Sequence, residues 1–308
     1  MPRKRLRDAL PSGNSRVLMS KALSRRDFTL LVSGATVALV ACDAGAADDA
    51  GDKVDTDTGE TGALDSGEDD SAETGDTSDT SAAPSWATGG TAALAASYPS
   101  PFTAATDCAV YCAMTLGPCY DETPVRQDIS EGADGLPIRL TFRILNEACE
   151  PVPDALVEVW HTHPNGKYSG AEAIQGCTGG DAAAMAALWF RGGQSSDADG
   201  IVAFDTCLPG WYMNRAIHIH FQVIVGGQNY SISQLFFPQD LLDGIYTVEP
   251  VYKDRGAPDT PNAQDGIYAA ADNPTDYELE WLKQSDGAML AWKTIVIRSS
   301  LDQNQCFP

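Results

Sequence analysis

Short stretches that alternate hydrophobic and polar residues recur from about residue 137 to the C-terminus. In the first of them, Ile138, Leu140, Phe142 and Ile144 occupy every second position, which places them on one face of a β-strand. Comparable stretches predict five further strands, at Leu156–Trp160, Ile201–Asp205, Ala216–Val225, Tyr230–Phe237 and Ala288–Arg298. A single short helix is predicted at Asp181–Phe190.

Turn residues separate several of these predicted strands. Asp197–Gly200 precedes one strand, Gly226–Gly227 joins two strands, and Ser285–Gly287 precedes the last; such residues are typical of tight connections between strands. The pattern predicts an all-β fold, an antiparallel β-sandwich of two sheets with long loops and few short helices.

The N-terminal region has the features of an export signal. A basic segment leads to Arg25-Arg26, which resembles a twin-arginine signal, and the apolar run Phe28–Ala41 is too short to span a bilayer as a helix. Leu39–Cys42 resembles a bacterial lipobox, although an ordinary signal with a chance cysteine is the alternative. We therefore expect a signal peptide at 1–41, lipidation of Cys42, and a protein anchored to the extracytoplasmic face of a bacterial membrane.

Composition divides the rest of the chain into a tether and a folded domain. Residues 42–86 are rich in Asp, Glu, Gly, Ser and Thr, with Lys53 as the one base, and such a tract cannot bury enough apolar surface to fold. Residues 87–308 are predicted to form the β-sandwich. The net charge of −23 excludes nucleic acid as an expected partner, because few cations are present to neutralise phosphates.

Seven cysteines follow Cys42. In an exported protein most of them are expected to form disulfides, and because seven is odd, at least one stays free or pairs between chains. The sequence leaves the connectivity open, and it leaves open the oligomeric state.

Two of the four histidines, His218 and His220, lie one residue apart in a predicted strand. Their side chains would project together on one face, with Ile217, Ile219 and Phe221 on the other. Histidine is the commonest protein metal ligand, so the pair is a candidate metal site; a pair of histidines on a solvated strand face is the alternative.

Further fragments accompany this pair in a characteristic order. Val157–Trp160 is followed by Gly166–Ser169, then by Pro209–Tyr212, and then by Arg215–His220. Together they resemble the motifs of the intradiol ring-cleavage dioxygenases, the protocatechuate and catechol dioxygenase family, and the short interval between Tyr212 and His218 is similar to that of exported single-domain members.

The resemblance implies a ferric site and its residues. Four ligands to Fe³⁺ are implied by matching motif positions: Tyr168, Tyr212, His218 and His220. Arg215, Gln234 and Tyr212 would take part in catalysis, and Tyr120 and Arg191 are expected in the substrate pocket. Two phenolates would offset the charge of a trivalent cation in a buried site, which neutral imidazoles alone would not do.

The implied activity is cleavage of a catechol-type ring by O₂ between its two hydroxyl-bearing carbons, giving a muconate-type diacid. Two alternatives stay open from the sequence. One is a non-catalytic exported β-sandwich module that binds aromatics or cell-wall polymers. The other is a zinc hydrolase built on His218 and His220, although zinc prefers His, Cys and carboxylate ligands to phenolates.

Overall fold

A computed structural model describes residues 85–104, 107–303 and 305–307. The predicted signal peptide, the lipidation site Cys42 and nearly all of the predicted tether lie outside the described residues. Within the described part of the chain, no helix is long and apolar enough to cross a membrane.

The described residues form eight strands and four short α-helices. The strands are β1 Pro137–Leu145, β2 Leu156–Trp160, β3 Arg191–Ser195, β4 Ile201–Cys207, β5 His218–Val225, β6 Gln228–Phe236, β7 Glu280–Lys283 and β8 Met289–Val296. The helices are α1 Gln175–Thr178, α2 Ala182–Ala186, α3 Gln239–Tyr246 and α4 Pro250–Lys253. Short 3₁₀ turns lie at Gly90–Ala93, Asn262–Gln264 and Pro274–Tyr277. The predicted all-β class is therefore confirmed.

The strands form two four-stranded sheets packed face to face. One has the order β4-β1-β8-β7 and the other β3-β2-β5-β6. The alternating apolar side chains of β1 are buried, as predicted, and Phe142 of β1 lies 5.9 Å from Phe221 of β5 between ring centroids. The main hydrophobic core thus lies between the sheets, which defines a β-sandwich.

One strand pair departs from the antiparallel pattern predicted for both sheets. β1 and β8 run parallel, with Ile138 opposite Met289 and Leu145 opposite Val296. A parallel pair requires a crossover instead of a hairpin. Here β8 returns from the far end of the chain, after β6 of the other sheet and the helices α3 and α4. The alternation within β8 does not encode this direction.

The β5–β6 hairpin sets the register that matters for the site. Gly226 and Gly227 both have positive φ, 58° and 76°, and two such residues fit the turn that joins twisted antiparallel strands. The pairing then places His220 opposite Gln234 and His218 opposite Phe236.

Among the described residues, three disulfides and one free cysteine resolve the connectivity that the sequence left open. Cys108 pairs with Cys149, Cys112 with Cys306, and Cys119 with Cys177. The remaining thiol, Cys207, is buried.

Removing Cys112 and Cys306 together is expected to cost more stability than removing Cys108 and Cys149. The first bond joins residues 194 apart and the second joins residues 41 apart. A longer closed loop restricts the unfolded chain more, so the two double-alanine variants should differ by about 1 kcal/mol. Chemical denaturation measures both free energies of unfolding, and equal losses would contradict this ordering.

Candidate metal centre and active site

Strand β5 directs its two histidines away from the core between the sheets. Ile217, Ile219 and Phe221 belong to that core, while His218 and His220 project from the opposite face. Loops cover this outer face, so the two imidazoles are only 3% and 2% exposed. The predicted division of the strand into two faces is correct, but the histidine face is buried and not solvated.

Three side chains converge on the imidazole of His218. Its Nε2 lies 3.2 Å from Nε2 of His220 and 3.3 Å from each of the hydroxyl oxygens of Tyr168 and Tyr212. Tyr168 lies in the loop between β2 and α1, and Tyr212 lies in the loop before β5. The structure therefore brings together all four residues that the sequence nominated as metal ligands, from three separate segments.

Hydrogen bonding fixes the orientation of the His218 ring. Its Nδ1 lies 2.6 Å from the carbonyl oxygen of Ala216. A carbonyl oxygen only accepts, so Nδ1 carries the proton and Nε2 presents a lone pair to the cluster. Burial lowers the pKa of His218 and of His220 well below the usual value near 6.5. Both rings are thus neutral, the form that binds metals.

The two phenols are held in a dry environment. Burial, followed by the neighbouring Tyr212, raises the pKa of Tyr168 well above its usual value near 10. Burial also raises the pKa of Tyr212, against the opposing charge of Arg215. Without a cation both side chains are therefore protonated, and a bound metal ion reverses that preference.

This donor set fits a transition-metal ion such as Fe³⁺. Nitrogen and oxygen ligands bind such an ion at about 2.0–2.2 Å. With donor–metal–donor angles of about 90–110°, two donors on one metal lie about 2.8–3.6 Å apart. The distances from His218 Nε2 to the other three donor atoms fall in that range. Among the described residues, no group of three or more His, Cys, Asp or Glu side chains is arranged to hold a metal. The site consequently depends on the two phenols, which suit a hard trivalent cation better than zinc.

Aromatic packing holds the second histidine in place. Trp160 stacks on His220 with ring centroids 5.1 Å apart and planes within 8° of parallel. On another side, a Cβ at Gly117 would lie 3.0 Å from Cε1 of the same imidazole. The indole and the glycine backbone therefore leave the His220 ring little freedom to rotate.

Arg215 is anchored beside the cluster by a buried carboxylate. Its Nε donates to Asp265 Oδ2 at 2.7 Å, its Nη2 to Gln234 Oε1 at 2.5 Å, and its Nη1 lies 3.4 Å from the Tyr212 oxygen. Asp265 also accepts from the backbone N–H of Ala216 at 2.8 Å. The structure thus places Gln234 against Arg215, and it adds Asp265, which the sequence analysis did not identify.

A cavity of about 280 Å³ opens onto the cluster. Its lining comprises Gly117, Pro118, Cys119, Gly166, Tyr168, Ile174, Gly176, Cys177, Tyr212, Arg215 and His220. Three of the four candidate ligands and Arg215 therefore face the cavity, and the Cys119–Cys177 disulfide forms part of its wall. A cavity of this size suits a single substituted aromatic ring.

Two residues predicted to lie in the substrate pocket are not part of that lining. The Tyr120 hydroxyl donates to Glu158 Oε2 at 3.0 Å, and its ring packs edge-on against Trp160; burial and Glu158 raise its pKa to about 12. Arg191 is fully buried and donates to the carbonyl oxygens of Cys119 and Ser169. The first supports the indole behind His220, and the second ties together two loops that form the cavity wall.

The other two histidines lie outside the cluster. His161 is buried, with Nδ1 on the Thr162 carbonyl oxygen and Nε2 on Thr206 Oγ1, at 2.8 and 2.7 Å. Burial lowers the pKa of His161 to about 3. His163 lies in a loop, where its Nδ1 accepts from the backbone N–H of Asn165. Both imidazoles are satisfied by local partners.

Replacing Gly117 by alanine is expected to weaken metal binding. Gly117 and Gly256 have the same φ of 76°, but a Cβ at Gly256 meets no atom within 4 Å, whereas one at Gly117 presses on His220. The two alanine variants share the backbone strain, so only Gly117→Ala should displace the imidazole. Metal content and affinity after iron loading measure this, and equal values for both variants would contradict the packing argument.

Comparisons with known proteins agree with this geometry. A family model described as "Dioxygenase" matches residues 110–250. The beta chain of protocatechuate 3,4-dioxygenase from Burkholderia cepacia is 31% identical over 144 residues, which covers 43% of this chain and 58% of that relative. The chain thus spans a little over half the length of this curated relative.

A solved structure shares the fold. An intradiol ring-cleavage dioxygenase from Tetranychus urticae superposes with a TM-score of 0.55 at 24% identity, over 62% of this chain and 95% of the other. The family-model match and the curated relative both indicate the intradiol ring-cleavage dioxygenase family for the β-sandwich domain. They agree with the resemblance noted in the sequence.

Proposed function

We propose that the protein is a ferric dioxygenase that cleaves catechol-type rings between the two hydroxyl-bearing carbons with O₂, giving a muconate-type diacid. The proposal is carried by the convergence of two phenol oxygens and two imidazole nitrogens beside the cavity. His218 Nε2 lies within 3.3 Å of the other three donor atoms. The family-model match and the similarity to a protocatechuate 3,4-dioxygenase chain support ring cleavage as the general reaction.

The ligands divide into a buried group and an accessible one. Tyr168, His218 and His220 are 1%, 3% and 2% exposed, which suits them to hold iron throughout the reaction, whereas Tyr212 is only partly buried. The catechol would chelate ferric iron through both of its oxygens, and the cation would supply electron withdrawal that makes the ring reactive towards O₂. Neutral imidazoles and two phenolates leave this centre with a low net charge, so a catecholate dianion is accepted without burying a large excess of charge.

Tyr212 is placed to accept a proton from the substrate. Its side chain is only partly buried, it faces the cavity, and its oxygen lies between His218 Nε2 and Arg215 Nη1. A phenolate there would take up one of the two hydroxyl protons as the catechol enters, and the other would pass to solvent through the open cavity. The guanidinium 3.4 Å away holds the phenol oxygen within reach during this exchange.

Arg215 supplies a fixed positive charge where negative charge develops on the substrate. Asp265 and Gln234 hold two of its nitrogens, at 2.7 and 2.5 Å, so its orientation does not depend on the substrate. A charge that is oriented in advance lowers the barrier more than one that must reorganise during the reaction.

Oxygen uptake by the purified, iron-loaded protein tests the proposal. We expect one O₂ consumed per catechol, an acyclic diacid as product, and visible charge-transfer absorption from tyrosinate bound to ferric iron. Resorcinol, whose hydroxyls cannot chelate, serves as the unreactive control. A coloured protein that consumes no O₂ with any catechol would overturn the proposal in favour of a binding module; a colourless protein that retains zinc would favour a hydrolase.

We also propose that the enzyme acts outside the cytoplasm, held to the cell envelope by lipid at Cys42. The N-terminal signal and the acidic tract that follows it support this location. Cys42→Ser should move the protein from the membrane fraction to the soluble fraction. An unchanged membrane fraction for this variant would overturn the anchoring proposal without affecting the proposed chemistry.

A further inference from the structure

We propose that the cavity selects catechols whose ring substituents are apolar and uncharged, and that Ile174 is a specificity-determining residue in the wall that selects them. This inference rests on the proposed function, because it concerns which catechol the ferric site receives. Three features of the described structure carry it: the ion pair of the one cation in the cavity lining, the position of the nearby cations outside that lining, and the apolar wall.

Arg215 is the one charged residue in the cavity lining, and its charge is already matched. It forms an ion pair with Asp265, whose side chain is fully buried. A second nitrogen is held by Gln234. The carboxylate of Asp265 offsets the Arg215 charge at longer range, although the guanidinium still acts on atoms next to it. A carboxylate on a ring substituent therefore finds no unpaired cation in this lining.

Three cations near the cavity wall lie outside its lining. Arg191 is buried and donates to the carbonyl oxygens of Cys119 and Ser169. Lys167, next to the ligand Tyr168, forms an ion pair with Asp181 at 2.7 Å. Arg255, beside Gly166, donates to the carbonyl oxygens of Pro164 and Trp211. The field of the whole chain, with a net charge of −23, further opposes the approach of an anionic substrate.

One wall of the cavity is apolar and covalently fixed. It consists of Pro118, Ile174 and the Cys119–Cys177 disulfide. The disulfide joins the loop that contacts His220 to helix α1, and Ile174 lies immediately before that helix with 55% of its surface exposed. An exposed isoleucine at a cavity mouth gains contact area when an apolar substituent binds beside it.

This wall discriminates by two opposing effects. Each substituent methylene that it buries should raise affinity about fourfold. A carboxylate in the same position loses hydration without gaining a charged partner, which is unfavourable. A carboxylated catechol should therefore bind and react at least about tenfold less well than 4-methylcatechol.

Steady-state kinetics and anaerobic titrations test the inference on the full iron-loaded protein. The probes are 4-methylcatechol, 4-tert-butylcatechol and 3,4-dihydroxybenzoate, compared by kcat/KM and by the dissociation constant without O₂. We expect the two alkylcatechols to bind and react best. Equal or better use of 3,4-dihydroxybenzoate would overturn the inference and leave the proposed function intact, whereas no reaction with any catechol would overturn the proposed function itself.

Substitution of the wall residue provides the second arm. Ile174→Lys should raise kcat/KM for 3,4-dihydroxybenzoate relative to 4-methylcatechol by about tenfold or more, because it adds a cation where the substituent lies. Ile174→Gln separates charge from shape and should not produce this shift. Val125→Lys adds the same charge at an exposed residue outside the cavity lining; a shift as large as that of Ile174→Lys would show long-range steering and overturn the role of Ile174.

Discussion

Replacing His220 by alanine is expected to remove most bound iron and to lower kcat/KM by more than about 100-fold. Loss of a residue that merely hydrogen-bonds to a metal ligand already lowers metal affinity or activity by about 10–100-fold, and loss of a ligand should cost more. The substitution deletes a nitrogen donor 3.2 Å from Nε2 of His218. It also opens a void against Trp160, whose indole stacks on the ring. Metal analysis, visible absorption and oxygen uptake measure the three expected losses.

His163→Ala provides the matched control. His163 lies in a loop outside the cluster, and its Nδ1 accepts a backbone hydrogen bond from Asn165. This variant should retain wild-type iron content and colour. If His220→Ala retained iron as the wild type does, or if both variants lost it equally, the assignment of His220 as a ligand would be wrong.

Replacing Asp265 by alanine is expected to lower the free energy of unfolding by about 3–5 kcal/mol, the usual cost of breaking a buried ion pair by removing one partner. The carboxylate has no exposed side-chain surface and accepts from Arg215 and from the backbone N–H groups of Ala216, Ile267 and Tyr268. The variant should also lower kcat, since Arg215 loses the contact that orients it. Chemical denaturation and steady-state kinetics measure the two effects.

The stability loss should depend on pH. Burial alone would raise the pKa of Asp265, but the charge of Arg215 and the backbone N–H donors outweigh it and lower that pKa. A lowered folded-state pKa stabilises the protein above the unfolded value near 3.9, and this contribution is lost as the pH falls through the folded value. The difference between wild type and Asp265→Ala should therefore be constant near neutral pH and shrink in acid.

Asp254→Ala is the control for this substitution. Asp254 is exposed, so its removal should change stability by no more than about 0.5 kcal/mol. A loss for Asp265→Ala as small as that of Asp254→Ala would contradict the role of the buried pair.

The sequence pattern was most informative where one strand face is fully apolar. The apolar face at β5 consists of Ile217, Ile219 and Phe221 and points into the core. Because side chains alternate along a strand, this predicted that His218 and His220 project from the opposite face. β3 went unrecognised because Arg191–Ser195 contains two glycines and no β-branched apolar residue. A Cβ at Gly192 would lie 2.3 Å from the Ile129 side chain, so close packing dictates glycine there and erases the usual strand signal.

Helix α3 was missed although its sequence carries a readable signal. Leu241, Leu242, Ile245 and Tyr246 are buried at helical spacing, and Pro238 precedes the first turn. The alternating pattern of the predicted strand ends at Phe237, just before this segment. The spacing of the apolar residues beyond it is typical of a helix and not of a strand.

The contacts around the metal cluster were less predictable than the cluster itself. Motif order identified the four candidate ligands, whereas Tyr120 and Arg191 lie outside the cavity lining, because a motif does not give the direction in which a side chain leaves its loop. Asp265 carries no local signal at all: it is one of 43 acidic residues, and only the folded chain brings it to Arg215. Long-range contacts of this kind require the tertiary structure.

In the proposed enzyme, four side chains bind a single ferric ion. Anomalous diffraction at the iron edge from crystals of the iron-loaded protein tests it most directly. We predict one strong peak within about 2.0–2.2 Å of the hydroxyl oxygens of Tyr168 and Tyr212 and of Nε2 of His218 and His220. A peak bound elsewhere, or no iron between these atoms in a protein that still cleaves catechol, would contradict the account.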